Sequence, residues 1–224
     1  MTTNGTTKTK KAPTLAERAT LEPTVAIKLT RLDRAIVEIP LIGETPLIMQ
    51  RWSEKAKELM LGKQQSSART KKAPKDPQAD YEAAFYRLED GTPGMPATAF
   101  KAAIGSAARF FDGVTMVSLK TAIFVKGSGS EQLVPIIGDV RMREDTPRNA
   151  NGVADLRYRP EFWPWSCVLL VEYLPSMLDK DSVWNLVDAS GRCGIGSWRP
   201  SSPKSMSGTF GQYRVDFDRL VGGE

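Results

Sequence analysis

Between Met95 and Phe110, the side chains Phe100, Ala103, Ile104, Ala107 and Ala108 recur at helical spacing on one face, and the small residues among them allow close packing against a sheet. The chain supplies candidate strands on both sides of this helix. Arg34–Gly43 is rich in β-branched residues and punctuated by Pro40 and Gly43. Thr121–Val125 reads as a strand, a Gly-Ser turn at 127–130 leads to Leu133–Ile137, and another strand continues from Val140 to Arg143. Cys167–Tyr173 is a nearly continuous apolar run, which predicts a central strand buried on both faces. Phe210–Phe217 supplies a closing strand.

Further helices are marked by their caps. Ser53 precedes Ala56, Leu59 and Met60, which with Trp52 predict a short packed helix, and Asp76-Pro77 opens another through Tyr81, Ala84 and Phe85. Asp179 or Asp181 starts a last helix with Val183, Trp184, Leu186 and Val187 that ends at Gly191. Strands interleaved with two core helices predict an α+β fold: a ferredoxin-like βαββαβ antiparallel sheet with helices on one face. The expected organisation is a disordered basic arm over residues 1–33 carrying Lys8, Lys10 and Lys11, a single domain over 34–217 with a basic helical-loop insertion at about 52–80, and a flexible tail over 218–224.

Composition excludes several chemistries. Among 224 residues there is no histidine, which removes the commonest general base at neutral pH and the commonest metal ligand. The two cysteines, Cys167 and Cys193, cannot form a zinc site alone and lack the spacing of a redox pair. No catalytic residue, metal or cofactor is therefore expected. No window is long and apolar enough for a membrane span and the N-terminus is polar, so a soluble, cytoplasmic protein without membrane contact is expected. The net charge of +5 favours a polyanionic partner.

Three segments carry the residues that would meet such a partner. Gly191–Pro200 and Gly208–Val215 join glycines, arginines and aromatics with no acid between Asp188 and Asp216. Amides at Gly194 and Gly196 with the cations Arg192, Arg199 and Lys204 suit phosphate, and Trp198 is placed to grip a nucleotide or to close the sheet. In Arg157–Trp165, arginines interleave with aromatics. Tyr158 and Trp163 are candidate stacking platforms and Arg157 and Arg159 candidate phosphate contacts, the competing reading being a Pro-rich corner, with Trp165 in the core. In residues 62–76, Lys63, Arg69, Lys71, Lys72 and Lys75 stand without a carboxylate until Asp76, either as a clamp on nucleic acid or as a solvated insertion.

Two stretches resemble the RAMP superfamily, the RRM-like proteins that include the repeating backbone subunits of CRISPR effector complexes. Gly94–Ala103 is similar to that family's turn into its first core helix, and Gly191–Gly196, following a helix, is similar to its late glycine-rich loop. The resemblance implies an RRM-like sheet, an insertion acting as a thumb or finger, and subunits lined up side by side as a homo-oligomer along a single-stranded nucleic acid. A compact chain of this kind also resembles proteins encoded by tailed phages. The function expected is therefore non-catalytic binding of single-stranded RNA or DNA. Two alternatives stand beside it. Some RAMP relatives cut RNA, with Asp139, Asp145, Asp155 and Asp188 as the carboxylates in question. In a structural or protein-interaction role, such as phage assembly or CRISPR evasion, the aromatic and basic surfaces would be subunit interfaces.

Overall fold

Alternation fixes the first strand: Val37, Ile39 and Leu41 point into the core, while Ile36 and Glu38 face outward. The structure, a computed structural model, describes residues 29–52, 61, 75–147, 152, 154–203 and 207–221. The chain divides into two units, Met1–Leu32 and Asp33–Glu224, and every element below belongs to the second. The expected helix after Ser53, most of the basic insertion and nearly all of the basic arm lie outside the described residues.

In chain order the elements are β1 (Ala35–Gly43), β2 (Leu47–Ile48), α1 (Pro77–Ala83), β3 (Gly94–Pro96), α2 (Ala97–Ala107), α3 (Met116–Ala122), β4 (Ile123–Lys126), β5 (Leu133–Pro135), β6 (Ile137–Asp145), β7 (Arg157–Tyr173), α4 (Lys180–Ser190), β8 (Tyr213–Val215) and α5 (Phe217–Val221). β1 runs antiparallel to the second half of β7, from Ala35↔Tyr173 to Ile42↔Ser166. β8 adds to the free edge of β1, and β4 adds to the other edge of β7. The order β8-β1-β7-β4 is that of a ferredoxin-like fold. In the crossover β1-α2-β4 the antiparallel strand β7 fills the gap, and in β7-α4-β8 the filler is β1. The expected α+β class and antiparallel sheet are thus present.

The core lies between this sheet and the two crossover helices. α2 buries Phe100, Ala103, Ile104 and Ala107, the stripe read from sequence, and α4 buries Val183, Leu186 and Val187. Asp179 caps α4 by accepting from Ser182 N at 2.7 Å, and Asp76 caps α1 by accepting from Gln78 and Ala79 N. Tyr213 closes the layer. Its ring meets Phe100 and Trp165 at centroid distances of 6.0 and 6.3 Å, and its hydroxyl shares a hydrogen bond with Ser190 Oγ at 2.6 Å. Cys167 and Cys193 are both buried and unpaired, and burial pushes both thiols up from their ordinary range. Among the described residues no helix is long and apolar enough to cross a membrane.

Three local expectations give way. Over Cys167–Tyr173, β7 is covered on one face only, with Leu170 41% exposed on the other beside Ile36 of β1, which is 62% exposed. In an antiparallel sheet whose crossovers return on the same side, the continuous apolar run spans a covered and an open face. Thr121 and Ala122 belong to α3 rather than to a strand, because Thr115 opens that helix with a capping box: Ser118 N donates to Thr115 Oγ1 (3.1 Å), and Thr115 N to Ser118 Oγ (3.3 Å). Arg157–Trp165 is not a corner but the first half of β7, paired with β6.

Gly191, the C-cap of α4, passes so close to β8 that a Cβ there would stand 1.6 Å from Tyr213 O. Gly191→Ala is expected to destabilise the domain by about 3 kcal/mol in urea unfolding. A loss under about 0.5 kcal/mol would contradict this packing.

Candidate nucleic-acid interface

Beyond the core, β6 and β7 continue as a long hairpin whose register sets Arg141 opposite Glu161, Arg143 opposite Arg159 and Asp145 opposite Arg157. Residues opposite each other and two apart along each strand share one face, so these charges form a ladder. Arg143 donates from Nε to Asp145 Oδ1 (2.8 Å) and from Nη1 to Glu161 Oε2 (2.6 Å), and Arg141 Nε donates to Glu161 Oε1 (2.7 Å). Arg159 donates from Nη2 to Asp145 Oδ2 at 2.5 Å. Glu161 is 1% exposed and Arg159 2% exposed. Burial pushes the Glu161 carboxyl up, but the hydrogen bonds and charges of Arg143 and Arg141 outweigh it and hold it below its ordinary value. Burial lowers the Arg159 guanidinium, opposed by its bond to Asp145. An arginine shifted in this way still carries its charge.

The loop between α4 and β8 roofs this ladder. Ile195 N donates to Gly211 O, Ser197 N to Ile48 O and Gly211 N to Pro46 O, which presses the loop against the segment around β2. Gly196 lies so close to β2 that a Cβ would be 2.6 Å from Ile48 O. The amide of Gly194 is used internally, by the carbonyls of Ser190 and Gly191. Trp198 is held at φ +57, a left-handed conformation that costs a non-glycine residue on the order of 1 kcal/mol. That turn sets its ring 4.5 Å from the Arg159 guanidinium carbon, while Phe210 meets Arg143 at 4.9 Å and Trp198 at 5.9 Å.

Between this roof and the first turn of α2 opens a cleft of about 680 Å3, lined by Thr98 and Ala99 of α2, by Arg157 and Arg159 of β7, by Gly196, Trp198 and Arg199 of the loop, and by Gln50 and Trp52. A second hollow of about 280 Å3, lined by Lys75, Asp155 and Tyr158, shares Gln50, Trp52, Arg157 and Arg159 with the first. The two therefore adjoin as one trough. Arg157 Nε donates to Asp155 Oδ2 at 3.1 Å, Lys75 Nζ to Asp155 Oδ1 at 2.8 Å and to Leu156 O, and Arg199 Nη1 to Gly196 O at 3.1 Å. Cations outnumber carboxylates along the trough, which suits a linear anion.

Of the residues singled out from sequence, Arg157, Tyr158, Arg159, Gly196, Trp198, Arg199 and Lys75 come together here. Arg192 is exposed on the turn after α4, Trp163 is exposed on β7, Gly194 is buried in the loop, and none of the three lines the trough. Lys63, Arg69, Lys71, Lys72 and Lys204 lie outside the described residues. Sequence reasoning passed over Arg141, Arg143, Gln50, Trp52 and Phe210. The two ladder arginines did leave a signal, a period-two run of charge in Arg141-Met142-Arg143-Glu144-Asp145 that mirrors Arg157-Tyr158-Arg159-Pro160-Glu161. Asp145 and Asp155 are held by arginine and lysine, and Asp188 accepts from Val215 N at 2.9 Å. Among the described residues no cluster of three His, Cys, Asp or Glu side chains could hold a metal ion.

No family model matches this chain, and no curated protein matches it either. Similar solved structures include a chain of the cryo-EM structure of the Type III-B Cmr-beta bound to cognate target RNA, with a TM-score of 0.41 and 12% identity over 81% of this chain. The match spans 58% of that chain's length. Another is the crystal structure of Cmr6 from Pyrococcus furiosus, with a TM-score of 0.37 and 10% identity over 83% of this chain and 100% of that one. The strand order described above, not these likenesses, defines the fold.

Removing Asp145 would leave the Arg159 charge buried without its carboxylate, and Asp145→Ala is expected to cost about 3 to 5 kcal/mol in urea unfolding. A loss below about 1 kcal/mol would show that the pair is not sequestered. Glu161 has a folded pKa below its unfolded one, so its contribution is present above the ordinary carboxylate range and is lost as pH falls through the folded value. Stability is expected to decline below about pH 4, and less steeply in Glu161→Gln. Identical acid limbs in the two proteins would contradict the depressed carboxyl.

Proposed function

We propose that this protein holds single-stranded nucleic acid, RNA or DNA, in the trough between α2 and the α4–β8 loop, without cutting it, and that copies line up side by side on one strand. One observation carries the reading: Arg157, Arg159 and Arg199 surround a cleft of about 680 Å3 with Trp198 and Trp52 in its walls. Arginine at the rim suits phosphate, and aromatic faces suit bases that are free of a duplex. Arg157 and Arg199 are the phosphate-binding cations in this reading. Arg159 is committed to Asp145 and Gln50 and shapes the cleft from beneath. Tyr158 and Lys75 extend the path into the second hollow.

The non-catalytic part is supported by Asp145, Asp155 and Asp188, each engaged by a cation or a backbone amide, while the fourth carboxylate in question, Asp139, is exposed on β6 and lines neither hollow of the trough. Side-by-side assembly comes from the resemblance to RAMP subunits alone. A second reading, a protein-interaction role without nucleic acid, is favoured by the open sheet face, where Ile36, Phe124 and Leu170 are exposed on neighbouring strands.

Fluorescence anisotropy of labelled single-stranded RNA, single-stranded DNA and duplex DNA over a salt series separates the two. Single strands are expected to bind, with log affinity falling linearly in log salt. In Arg157→Ala/Arg199→Ala the slope is expected to shrink by about 0.7 for each phosphate that the variant no longer neutralises, whereas Arg192→Ala leaves it unchanged. No binding of any strand at low salt, together with salt-insensitive self-association, would overturn the nucleic-acid reading in favour of the second.

A further inference from the structure

Gln50 and Trp52 stand in the wall shared by both hollows of the trough. The backbone that carries them is pinned on both sides of Gln50: Met49 N donates to Pro160 O of β7 (3.0 Å) and Arg51 N to Ala84 O (2.9 Å). Arg51, between the two, reaches Glu131 at 2.5 Å and lies 5.7 Å from the Tyr86 ring centre. Trp52, the residue after the pinned Arg51, keeps 53% of its surface exposed, an unusual degree for an indole.

The orientation of the Gln50 amide follows from its partners. Its Oε1 accepts from Arg159 Nη1 at 3.0 Å and from Ser197 Oγ at 3.3 Å. Arginine has no acceptor, so the flipped amide would set donor against donor, and the oxygen must face Arg159. The Nε2 group therefore points away from Arg159, and no acceptor among the described residues takes its protons. What Gln50 offers a ligand is a pair of N–H donors and no acceptor.

We propose that Gln50 and Trp52 form a base subsite within the trough that favours keto bases (uracil or thymine, and guanine) over the amino bases cytosine and adenine. The inference rests on the nucleic-acid reading above and gives it a sequence preference. Trp52 supplies a face on which a base stacks, which tolerates any base. Gln50 supplies the discrimination: its Nε2 donates to O4 of uracil or thymine or to O6 of guanine. The preference belongs to the pose in which the base stacked on Trp52 turns this ring position toward Gln50: there cytosine and adenine present an amino group, so donor meets donor, and a base that turned its ring-nitrogen acceptor toward Gln50 instead would bind without discrimination. A glutamine free to use both amide atoms would instead pair with adenine through two bonds, and here Arg159 and Ser197 have closed the accepting half.

The test compares short oligouridylate with short oligocytidylate at fixed salt, since the two rings have the same size and differ at the keto and amino positions. Wild-type protein is expected to bind the uridine strand about fivefold more tightly. Gln50→Glu retains an accepting oxygen for Arg159 and Ser197 but turns the donor toward the trough into an acceptor. Its added negative charge weakens both strands, so the uridine-to-cytidine ratio is the readout, and that ratio is expected to invert. Trp52→Ala is expected to weaken both strands about tenfold with an unchanged salt slope, and Trp52→Phe to restore most of the loss. Equal affinity for the two strands in wild type, or a ratio that Gln50→Glu does not move, overturns the subsite while salt-dependent binding leaves the trough reading standing. Failure of wild type to bind either strand at low salt overturns both.

Discussion

The site depends on one constraint, that a guanidinium cannot be buried without its charge being answered. Arg159 is buried, and taking it out of water costs several kcal/mol unless a carboxylate and well-formed hydrogen bonds replace the lost hydration. Asp145 meets Nη2 and Gln50 meets Nη1, while Trp198 covers its face and Nε is left buried without a hydrogen-bond partner among the described residues. Each of these demands passes to another element. Asp145 requires the β6–β7 register, Gln50 requires the pinned segment after β2, and Trp198 requires a left-handed turn in a loop held down on β2. The 17-residue length of β7 makes this possible, since its second half pairs with β1 in the hydrophobic layer and its first half pairs with β6 in the charged ladder.

What was legible in the sequence follows from how local each signal is. The stripe from Phe100 to Ala108, the β-branched run of β1 and the aspartate start of α4 are set by neighbours within a few residues, and all three stand in the structure, which chooses Asp179 over Asp181 as the cap. The apolar run Cys167–Tyr173 carries no mark of which side will be covered, because that is decided by helices distant in sequence. α3 was hidden by β-branched residues at its end, which outweighed the quieter capping signal of Thr115 and Ser118. For the site, the clustering of arginine and tryptophan in two segments pointed toward Arg157, Arg159, Trp198 and Arg199. Gln50 and Trp52 gave no such sign, since a lone amide and an isolated indole become meaningful only when the fold sets them beside Arg159 and the trough.

The glycines of the late loop illustrate how one residue pattern supports two physical readings. Glycine amides near arginines suggest a phosphate cradle, yet Gly194 spends its amide on the end of α4, and Gly196 is small so that the loop can reach β2. The loop's part in the site is thus to bring Trp198 and Arg199 over the ladder. The molecule presents two distinct surfaces, a cationic trough with aromatic walls and an open sheet face where Ile36, Phe124 and Leu170 surround Glu172 and its ion pairs with Arg34 and Lys126.

Photo-crosslinking of a 4-thiouridine single strand, followed by mass spectrometric mapping of the attached peptides, distinguishes those surfaces most directly. The trough account expects adducts on the peptides carrying Trp52, Tyr158 and Trp198. Adducts confined to the open sheet face, on the peptides of Ile36, Phe124 and Leu170, would contradict it.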